Sequence, residues 1–444
     1  MALKVGFVSL GCPKNLVDSE IMLGFIKESG FAITSKEQDA DILVINTCSF
    51  IDEAKEESIN TILELARHKA EGKCRAILVA GCLAQRYPQE LLLEIPETDG
   101  LVGTGFITEI AGAIRRTLNG ERVLLVGAPG CLHQAGYPRI QATPSHTAYL
   151  QIAEGCDNCC SYCVIPEIRG PYRSRKIEDV LDEAAGLVSR GVKELILTAQ
   201  DTTRYGIDLY SRLALDELLT GLAEIEGLVW IRILYAYPTY ITDKLISTMA
   251  ADKKICRYLD IPLQHASDTM LKRMNRDGSR KAYVRLIEKL RLSIPGITLR
   301  STFIVGFPGE TEEDFQDLLD FMAQVKLDRV GIFVYSREEG TAAAKMDRQV
   351  PEDIKTERRD RAMEIQQKIS LEMNQKKIGD TVTVLVEGIS SEDAGLYEGR
   401  SEGDAPDIDG RVLIKSNKDL KPGDFVKVLI ESASWYDLYG KHVV

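Results

Sequence analysis

The sequence predicts an α/β fold with three parts: an N-terminal open parallel sheet, a central partial (βα)6 barrel and a small C-terminal all-β barrel. Short apolar runs alternate with helical patterns in the N-terminal region, and six further strand–helix units follow them. Near the C-terminus, β-branched runs are separated by turn residues instead of helices. These changes place the N-terminal α/β domain at residues 1–130, a linker at 131–146, the central barrel at 147–377 and the β-barrel domain at 378–444.

The composition of the 444-residue chain is that of a globular protein, with 44% hydrophobic and 27% charged residues. No apolar run approaches the roughly 18 residues that a membrane-spanning helix needs, and the N-terminus lacks the pattern of a signal peptide. We therefore expect a cytoplasmic protein with no membrane partner. The net charge of −12 argues against a large surface for nucleic acid. Ten cysteines in a cytoplasmic chain favour metal or redox chemistry over disulfides.

The N-terminal domain is predicted from four apolar runs that alternate with helical patterns, which is typical of a parallel sheet covered by helices. The predicted strands are Lys4–Leu10, Asp41–Asn46, Arg75–Ala80 and Asp99–Val102. The predicted helices lie near Lys14–Ser29, Asp52–Ala70, Ala84–Glu94 and Phe106–Leu118. In such open sheets, ligands bind at the carboxyl ends of the strands.

Three cysteines of this domain follow directly after predicted strands: Cys12, Cys48 and Cys82. Each thiol is thus expected at the ligand-binding edge of the sheet. A single cysteine at such a position is more often a small buried apolar residue, but three at equivalent positions favour a metal centre. We predict that this triad holds an iron–sulfur cluster. Cys74 precedes its strand and is expected at the opposite edge as a free thiol.

The central barrel is predicted from six strand–helix units, which are too few for the eight of a closed TIM barrel. A TIM-like partial barrel fits this count. Its predicted strands are Ala148–Ala153, Glu194–Ala199, Trp230–Tyr235, Arg257–Pro262, Thr298–Val305 and Arg329–Tyr335.

A second cysteine triad, with the spacing CxxxCxxC, lies in the loop after the first barrel strand: Cys156, Cys160 and Cys163. Clusters of the 4Fe-4S type usually take four cysteines, so three leave one iron open for a reacting ligand. A zinc site would normally need a second CxxC pair, and disulfides would need an oxidising compartment. Cys159 adjoins Cys160, and we interpret it as a bystander.

The C-terminal domain is predicted from three strand-like runs, Thr381–Val386, Gly410–Ile414 and Phe425–Ile430, which are separated by turns. Acidic residues outnumber basic ones from Lys376 onwards. A domain that grips phosphate should be basic, so this one is better suited to a positively charged protein surface.

The CxxxCxxC segment resembles that of the radical S-adenosylmethionine (SAM) enzymes, and the C-terminal region resembles a TRAM domain. With the N-terminal cysteine triad, the whole chain resembles the radical SAM methylthiotransferases. The segments Gln200-Asp-Thr-Thr-Arg-Tyr-Gly206 and Pro171-Tyr-Arg-Ser-Arg175 resemble the RimO type within that family. The resemblance implies transfer of a methylthio group to the β-carbon of an aspartate in ribosomal protein S twelve. It also implies two 4Fe-4S clusters and two molecules of SAM.

The resemblance further implies that Gln200, Asp201 and the backbone of Tyr162 contact SAM. Gly306, in a glycine-rich loop after the fifth barrel strand, is a further candidate because its small size lets the backbone approach a ligand. Two interpretations remain open for the arginines of the segment after the second triad: they hold a carboxylate, or they form a solvated basic loop. These are Arg169, Arg173 and Arg175.

The partners implied by the resemblance are the ribosomal protein on or near the ribosome and an external electron donor such as flavodoxin or ferredoxin. Any contact with RNA is expected to be weak because of the acidic charge. Two other functions remain open from the sequence. One is methylthiolation of an adenosine in transfer RNA, and the other is a non-catalytic iron–sulfur or zinc protein that binds ribosomes.

Overall fold

The computed structural model describes residues 2–393 and 395–443. Six parallel strands form an N-terminal sheet: β1 (Lys4–Ser9), β2 (Ala32–Thr34), β3 (Ile42–Thr47), β4 (Ala76–Gly81), β5 (Gly100–Val102) and β6 (Val123–Leu125). Their order across the sheet is β2-β1-β3-β4-β5-β6. The central strands β3 and β4 are buried at every position because helices cover both faces of the sheet.

Five helices connect these strands: α1 (Pro13–Glu28), α2 (Asp52–Ala70), α3 (Cys82–Arg86), α4 (Pro88–Glu94) and α5 (Ile110–Leu118). The single helix predicted for Ala84–Glu94 is wrong, since the structure has two helices there. Pro88 is the first residue of α4, and Tyr87 before it leaves the helical conformation with φ −128° and ψ 51°. A proline disfavours the helical conformation in the residue that precedes it, which explains the break.

The central domain is a half-open barrel of six parallel strands, accompanied by a two-stranded hairpin. The strands are β7 (Thr147–Gln151), β8 (Ala153–Glu154), β9 (Arg173–Ser174), β10 (Glu194–Thr198), β11 (Trp230–Ile233), β12 (Ile255–Asp260), β13 (Thr298–Val305) and β14 (Arg329–Val334). The sheet has the order β7-β10-β11-β12-β13-β14, and the hairpin pairs β8 with β9. This confirms the partial barrel.

Among the described residues, nine α-helices belong to this domain. They are α6 (Ile165–Arg169), α7 (Ile177–Ser189), α8 (Ile207–Tyr210), α9 (Leu215–Ala223), α10 (Asp243–Ala251), α11 (Asp268–Arg273), α12 (Arg280–Ser293), α13 (Glu312–Val325) and α14 (Glu352–Gln375). Within the two described ranges, no helix combines the length and the apolar character that crossing a membrane requires.

Five strands form the C-terminal domain, a closed barrel with the order β15-β16-β17-β19-β18. They are β15 (Thr381–Ile389), β16 (Tyr397–Ser401), β17 (Val412–Lys415), β18 (Phe425–Ala433) and β19 (Leu438–Val443). This barrel contacts the amino ends of the central strands. Arg400 forms an ion pair of 2.7 Å with Glu194, the first residue of β10, and Phe425 packs edge-to-face on Trp230, the first residue of β11. The contact lies at the end of the strands opposite to the cysteine loops.

One apolar core runs through all three domains. It joins Val5 of the first sheet, Tyr149 of the half-barrel and Leu385 of the closed barrel in a single buried cluster. The domains therefore share a core in addition to their own internal ones.

Candidate active site

The N-terminal triad stands at the carboxyl ends of three neighbouring parallel strands. Cys12 follows β1 and precedes α1, Cys48 follows β3, and Cys82 begins α3 after β4. Because these strands are adjacent in the sheet, their ends bring the three thiols to one edge. The approach is close at Gly11, where an added Cβ would lie 2.9 Å from the Cβ of Cys48.

Burial disfavours the charged form of two thiols in this triad. It raises the pKa of the Cys82 thiol to about 12 and also raises the pKa of Cys48. The Arg169 guanidinium lies 3.4 Å from the Cys82 Sγ and opposes this rise. Arg169 is itself paired with Asp18 at 2.7 Å and with Glu154 at 3.3 Å. Metal binding must therefore displace protons from these thiols.

The second triad lies in the segment between β8 and α6. Burial raises the pKa of Cys163 to about 12 and that of Cys156 to about 11. The Arg276 guanidinium lies 3.7 Å from the Cys160 Sγ, so each triad has one buried arginine beside a thiol. Cys159 is exposed, whereas its neighbour Cys160 faces Arg276.

The segments that carry the two triads are in contact where the first two domains meet. Cys82 packs against Val164 and Ile168, and Val164 directly follows Cys163 in the chain. In addition, the Thr104 hydroxyl donates to the Ile168 carbonyl at 2.8 Å. The cysteine edge of the N-terminal sheet and the cysteine loop of the half-barrel are therefore in direct contact.

All ten cysteines are free thiols. Among the residues that the structure describes, no three His, Cys, Asp or Glu side chains are close enough to bind one metal ion together. A structural zinc site holds four such ligands around a single ion, and a catalytic zinc site holds three together with a water molecule. A cube of four irons instead places each thiolate on a different iron, so thiols spaced around a shared edge are the arrangement that it requires.

Two of the residues predicted to contact SAM lie in the loop after β10. The Gln200 amide donates to a carboxylate oxygen of Glu154 at 2.6 Å, and its own carbonyl oxygen is buried without a partner. Asp201 accepts a hydrogen bond of 3.1 Å from Asn158, which lies between Cys156 and Cys160. Gln200 and Asp201 thus connect this loop to the segment around the second triad.

The other two residues predicted to contact SAM, Tyr162 and Gly306, lie against side chains of the protein. The Tyr162 ring is edge-to-face with Phe307 at 6.4 Å between centroids. Gly306 has φ +73°, and a Cβ added there would lie 2.2 Å from the Cγ of Lys355. The absent side chain of Gly306 therefore makes room for Lys355 of α14.

The interpretation of the three arginines as a solvated loop is wrong. Arg169 and Arg175 are only 3% and 1% exposed. Arg175 is paired with Glu183 and, at 2.7 Å, with Asp179 of α7. Arg173 donates to the backbone carbonyl of Arg169 at 3.0 Å. Most of their hydrogen bonds and ion pairs are made inside the protein, where they fix the segment that follows the second triad.

Three family models match successive parts of the chain: "Uncharacterized protein family UPF0004" at residues 4–103, "Radical SAM superfamily" at 150–322 and "TRAM domain" at 378–443. The ribosomal protein uS12 methylthiotransferase RimO of Pelotomaculum thermopropionicum is 64% identical over the full length of both chains. That of Desulforudis audaxviator is 54% identical over 98% of this chain and 96% of the relative. The chain belongs to the RimO family of methylthiotransferases. It is therefore a radical SAM transferase, and the resemblance predicted from the sequence is confirmed.

Solved structures with little sequence identity share the fold of this RimO-family enzyme. The radical SAM methyltransferase TsrM from Kitasatospora setae has a TM-score of 0.58 and 13% identity, over 90% of this chain and 77% of that one. The radical SAM enzyme OxsB has a TM-score of 0.51 and 13% identity, over 77% of this chain and 54% of that one. At this identity the likeness shows the fold alone.

The residues of this RimO-family enzyme fit the iron–sulfur cluster and the SAM that its superfamily uses. Thiols are the ligands of such clusters, and each triad offers three of them in reduced form. A cluster held by three thiolates is anionic, and a buried guanidinium stands beside each triad.

Several functional residues of this RimO-family enzyme were missed in the sequence. Arg276 lies in Asn-Arg-Asp-Gly, which indicates only a turn. Asp18 lies on α1, and the sequence pattern alone predicts a surface residue of an amphipathic helix at this position. One signal was present: the start of α1 is polar, yet it must pack on a buried sheet. Its buried polar residues are Lys14, Asn15, Asp18, Ser19 and Glu20.

Proposed function

We propose that this enzyme adds a methylthio group to the β-carbon of an aspartate in ribosomal protein uS12, with one 4Fe-4S cluster on each triad and two molecules of SAM per product. The observation that carries the proposal is the packing of Cys82 against Val164 and Ile168. This contact supports a shared site in which the N-terminal triad carries the sulfur and the second triad serves the cleavage of SAM. When bound, the clusters supply the electron that splits SAM and the sulfur that is transferred.

The chain's own residues prepare this interface for radical chemistry. Arg169 and Arg276 place positive charge beside Cys82 and Cys160, where it would offset the negative charge of a bound cluster. Apolar packing around Val164 excludes water, which protects a reactive intermediate from side reactions. The buried carbonyl oxygen of Gln200 has no partner in the protein, so it is free to accept a hydrogen bond from SAM.

We assign Tyr162, Gln200, Asp201 and the Gly306 loop to SAM binding. Asp201 is linked to the cluster segment through Asn158. Tyr162 stands between two cluster cysteines in the chain, and its ring packs edge-to-face on Phe307. Occupation of this site would therefore stabilise the loop that carries the second triad.

The partners of this reaction follow from charge and chemistry. The net charge of −12 favours a basic protein such as a ribosomal one over RNA, for which we propose only weak contact. The electron comes from an external reductant of the flavodoxin or ferredoxin class. Because ribosomes lie in the cytoplasm, we place the enzyme there.

The test is anaerobic reconstitution, followed by reaction of the reduced enzyme with SAM and purified uS12 and mass spectrometry of the product. We expect about eight irons per chain and a methylthio group on one aspartate of uS12. Transfer RNA serves as the competing substrate. Modification of the RNA and not of uS12 would refute the proposed substrate.

Cysteine variants test the division of labour between the triads. Cys160→Ala should abolish cleavage of SAM, whereas Cys48→Ala should retain it and lose sulfur transfer. The matched controls are Cys159→Ala, an exposed neighbour of Cys160, and Cys74→Ala, a buried thiol at the other edge of the sheet. Equal loss of SAM cleavage in Cys48→Ala and Cys160→Ala would contradict this division.

A further inference from the structure

A buried lysine connects the N-terminal triad to the mouth of the half-barrel. Lys14 lies two residues after Cys12, in the first turn of α1, and is only 8% exposed. Its Nζ donates to the carbonyl of Ala199 at 3.4 Å and lies 4.1 Å from the centroid of the Tyr235 ring. Ala199 and Tyr235 are in the loops after β10 and β11, at the carboxyl ends of the barrel strands.

The Lys14 ammonium has no carboxylate within ion-pair distance among the described residues. Its contacts are one long hydrogen bond and one aromatic face. An ammonium group has three donors, and burying its charge without a counter-ion is costly. Two donors of Lys14 are thus available for an anion that is absent from the protein itself.

The surroundings of Lys14 are fixed in place. Tyr235 has φ +59°, which a non-glycine residue adopts only at an energetic cost. Its carbonyl accepts from the Thr202 amide at 3.0 Å, and its amide donates to Asp260 at 3.1 Å. Asp260 is in turn paired with Arg300 at 3.0 Å, so its charge is already neutralised. The ring is held against the ammonium in a strained backbone conformation.

Two other buried cations lie beside thiols of the triads. Arg169 stands beside Cys82 and Arg276 beside Cys160, so each cluster site has its own positive charge. Lys14 is a further buried cation at the joint between the two domains, in contact with Ala199 and Tyr235. The amino end of α1 adds to its field, since the helix has no side-chain cap and no acidic residue in its first turn.

We propose that Lys14 binds the side-chain carboxylate of the substrate aspartate and thereby selects aspartate at the modified position. This inference rests on the proposed function, since it names the part of the substrate that the joint between the triads receives. The ammonium forms a charge-assisted hydrogen bond with a carboxylate, whereas an asparagine amide would leave the buried charge unpaired.

The test compares uS12 with its variant in which the modified aspartate is replaced by asparagine. We expect the wild-type enzyme to prefer the aspartate form by about 10- to 100-fold in kcat/KM. Lys14→Gln should reduce this preference by most of that factor, with the larger change in KM, and Lys14→Arg should retain part of it. Lys27→Met, an exposed lysine on the same helix, is the control and should keep the wild-type preference.

Iron content separates this role from a role in cluster binding. We expect Lys14→Gln to retain about eight irons per chain after reconstitution. Loss of iron from this variant would overturn the proposal, because it would assign the ammonium to the cluster. If Lys14→Gln does not fold, Lys14→Met with the same substrate pair decides, and an unchanged preference together with an unchanged KM overturns the proposal. Failure of the wild-type enzyme to modify uS12 would instead refute the proposed function.

Discussion

The guanidinium of Arg169 lies 3.4 Å from the Sγ of Cys82, although the two residues belong to different domains. Arg169 ends α6, the helix that follows the second triad, so the central domain supplies the positive charge beside the N-terminal triad. The same guanidinium is the counter-ion of two buried carboxylates, Asp18 and Glu154.

Replacing Arg169 by methionine leaves Asp18 and Glu154 buried without this counter-ion. Removing one partner of a buried ion pair typically costs about 3–5 kcal/mol, and we expect a loss of that size in the free energy of unfolding. Urea unfolding measures it. Arg285→Met, at an exposed position of α12, is the control. Equal stability of the two variants would contradict a structural role for the Arg169 pairs.

Because of the buried carboxylate of Glu194, we predict that the contact between the central and C-terminal domains stabilises the protein less in acid. Burial would raise the pKa of Glu194, but Arg400 and Arg232 outweigh it and hold the pKa at about 2. Because the unfolded carboxyl titrates near pH 4.3, the stabilisation is present above that pH and is lost as the pH falls toward 2. We expect Glu194→Gln to lose about 3 kcal/mol of unfolding free energy at neutral pH.

The difference between wild type and Glu194→Gln should shrink as the pH is lowered from about 4.3 toward 2, because the unfolded carboxyl then binds a proton that the folded carboxyl, with its pKa of about 2, does not bind. Unfolding by urea at a series of pH values measures this difference. Glu288→Gln, an exposed carboxyl on α12, should show no such trend. A difference that does not change with pH would refute the ion-pair explanation.

For Glu310 we predict that the contribution to the free energy of unfolding depends on pH in the opposite sense. Burial raises the pKa of its carboxyl to about 7, although Arg358 lies 3.2 Å away and acts against the shift. The negative charge of Asp314 adds to the effect of burial. Since the folded pKa lies above the unfolded value, this contribution to stability is present below about pH 4.3 and is lost as the pH rises through 7.

Glu310→Gln should remove that loss. We expect the variant to gain in stability relative to wild type between about pH 5 and pH 8.5, by at most about 3 kcal/mol. Urea unfolding at both pH values tests this expectation. Parallel pH profiles for the two proteins would show that Glu310 is ionised in the folded state throughout.

Gly306 and Gly296 form a matched pair that separates backbone strain from steric clash. Both have positive φ, +73° and +81°, so alanine is strained by roughly 1–2 kcal/mol at either site. Only at Gly306 would the new Cβ meet another side chain, Lys355 at 2.2 Å, while nothing lies within 4 Å at Gly296. We expect Gly306→Ala to lose about 1–3 kcal/mol more unfolding free energy than Gly296→Ala. Equal losses would mean that Lys355 moves aside freely.

The fold was largely predictable because its long elements carry clear patterns. The helix Asp52–Ala70 and the strand Thr298–Val305 were predicted with the bounds that the structure has. The three-residue strands β2 and β6 were missed, since so short a run at the edge of a sheet has no periodicity to detect. The strands β16 and β19 were missed for another reason: each contains a glycine, and their pairing is set by residues far away in the chain.

The site was predictable only in part. The six cysteines are identifiable from spacing and from their positions after strands, but their assignment to clusters stays a prediction. The partners of Arg169 could not be predicted, because Asp18 is 151 residues away and meets it only through the packing of two domains. The role of Lys14 was hidden for the same reason, since its neighbours Ala199 and Tyr235 belong to another domain.

The division of the chain at residues 130, 146 and 377 also stays a prediction. The apolar core through Val5, Tyr149 and Leu385 shows that the three parts share buried packing across those boundaries. Pieces cut at those positions would each expose part of that core to water and would tend to aggregate. A protease that nicks the segment 131–146 should therefore leave two fragments that remain associated until a denaturant is added. The three parts of this enzyme are in this respect inseparable in solution, however distinct they look along the sequence.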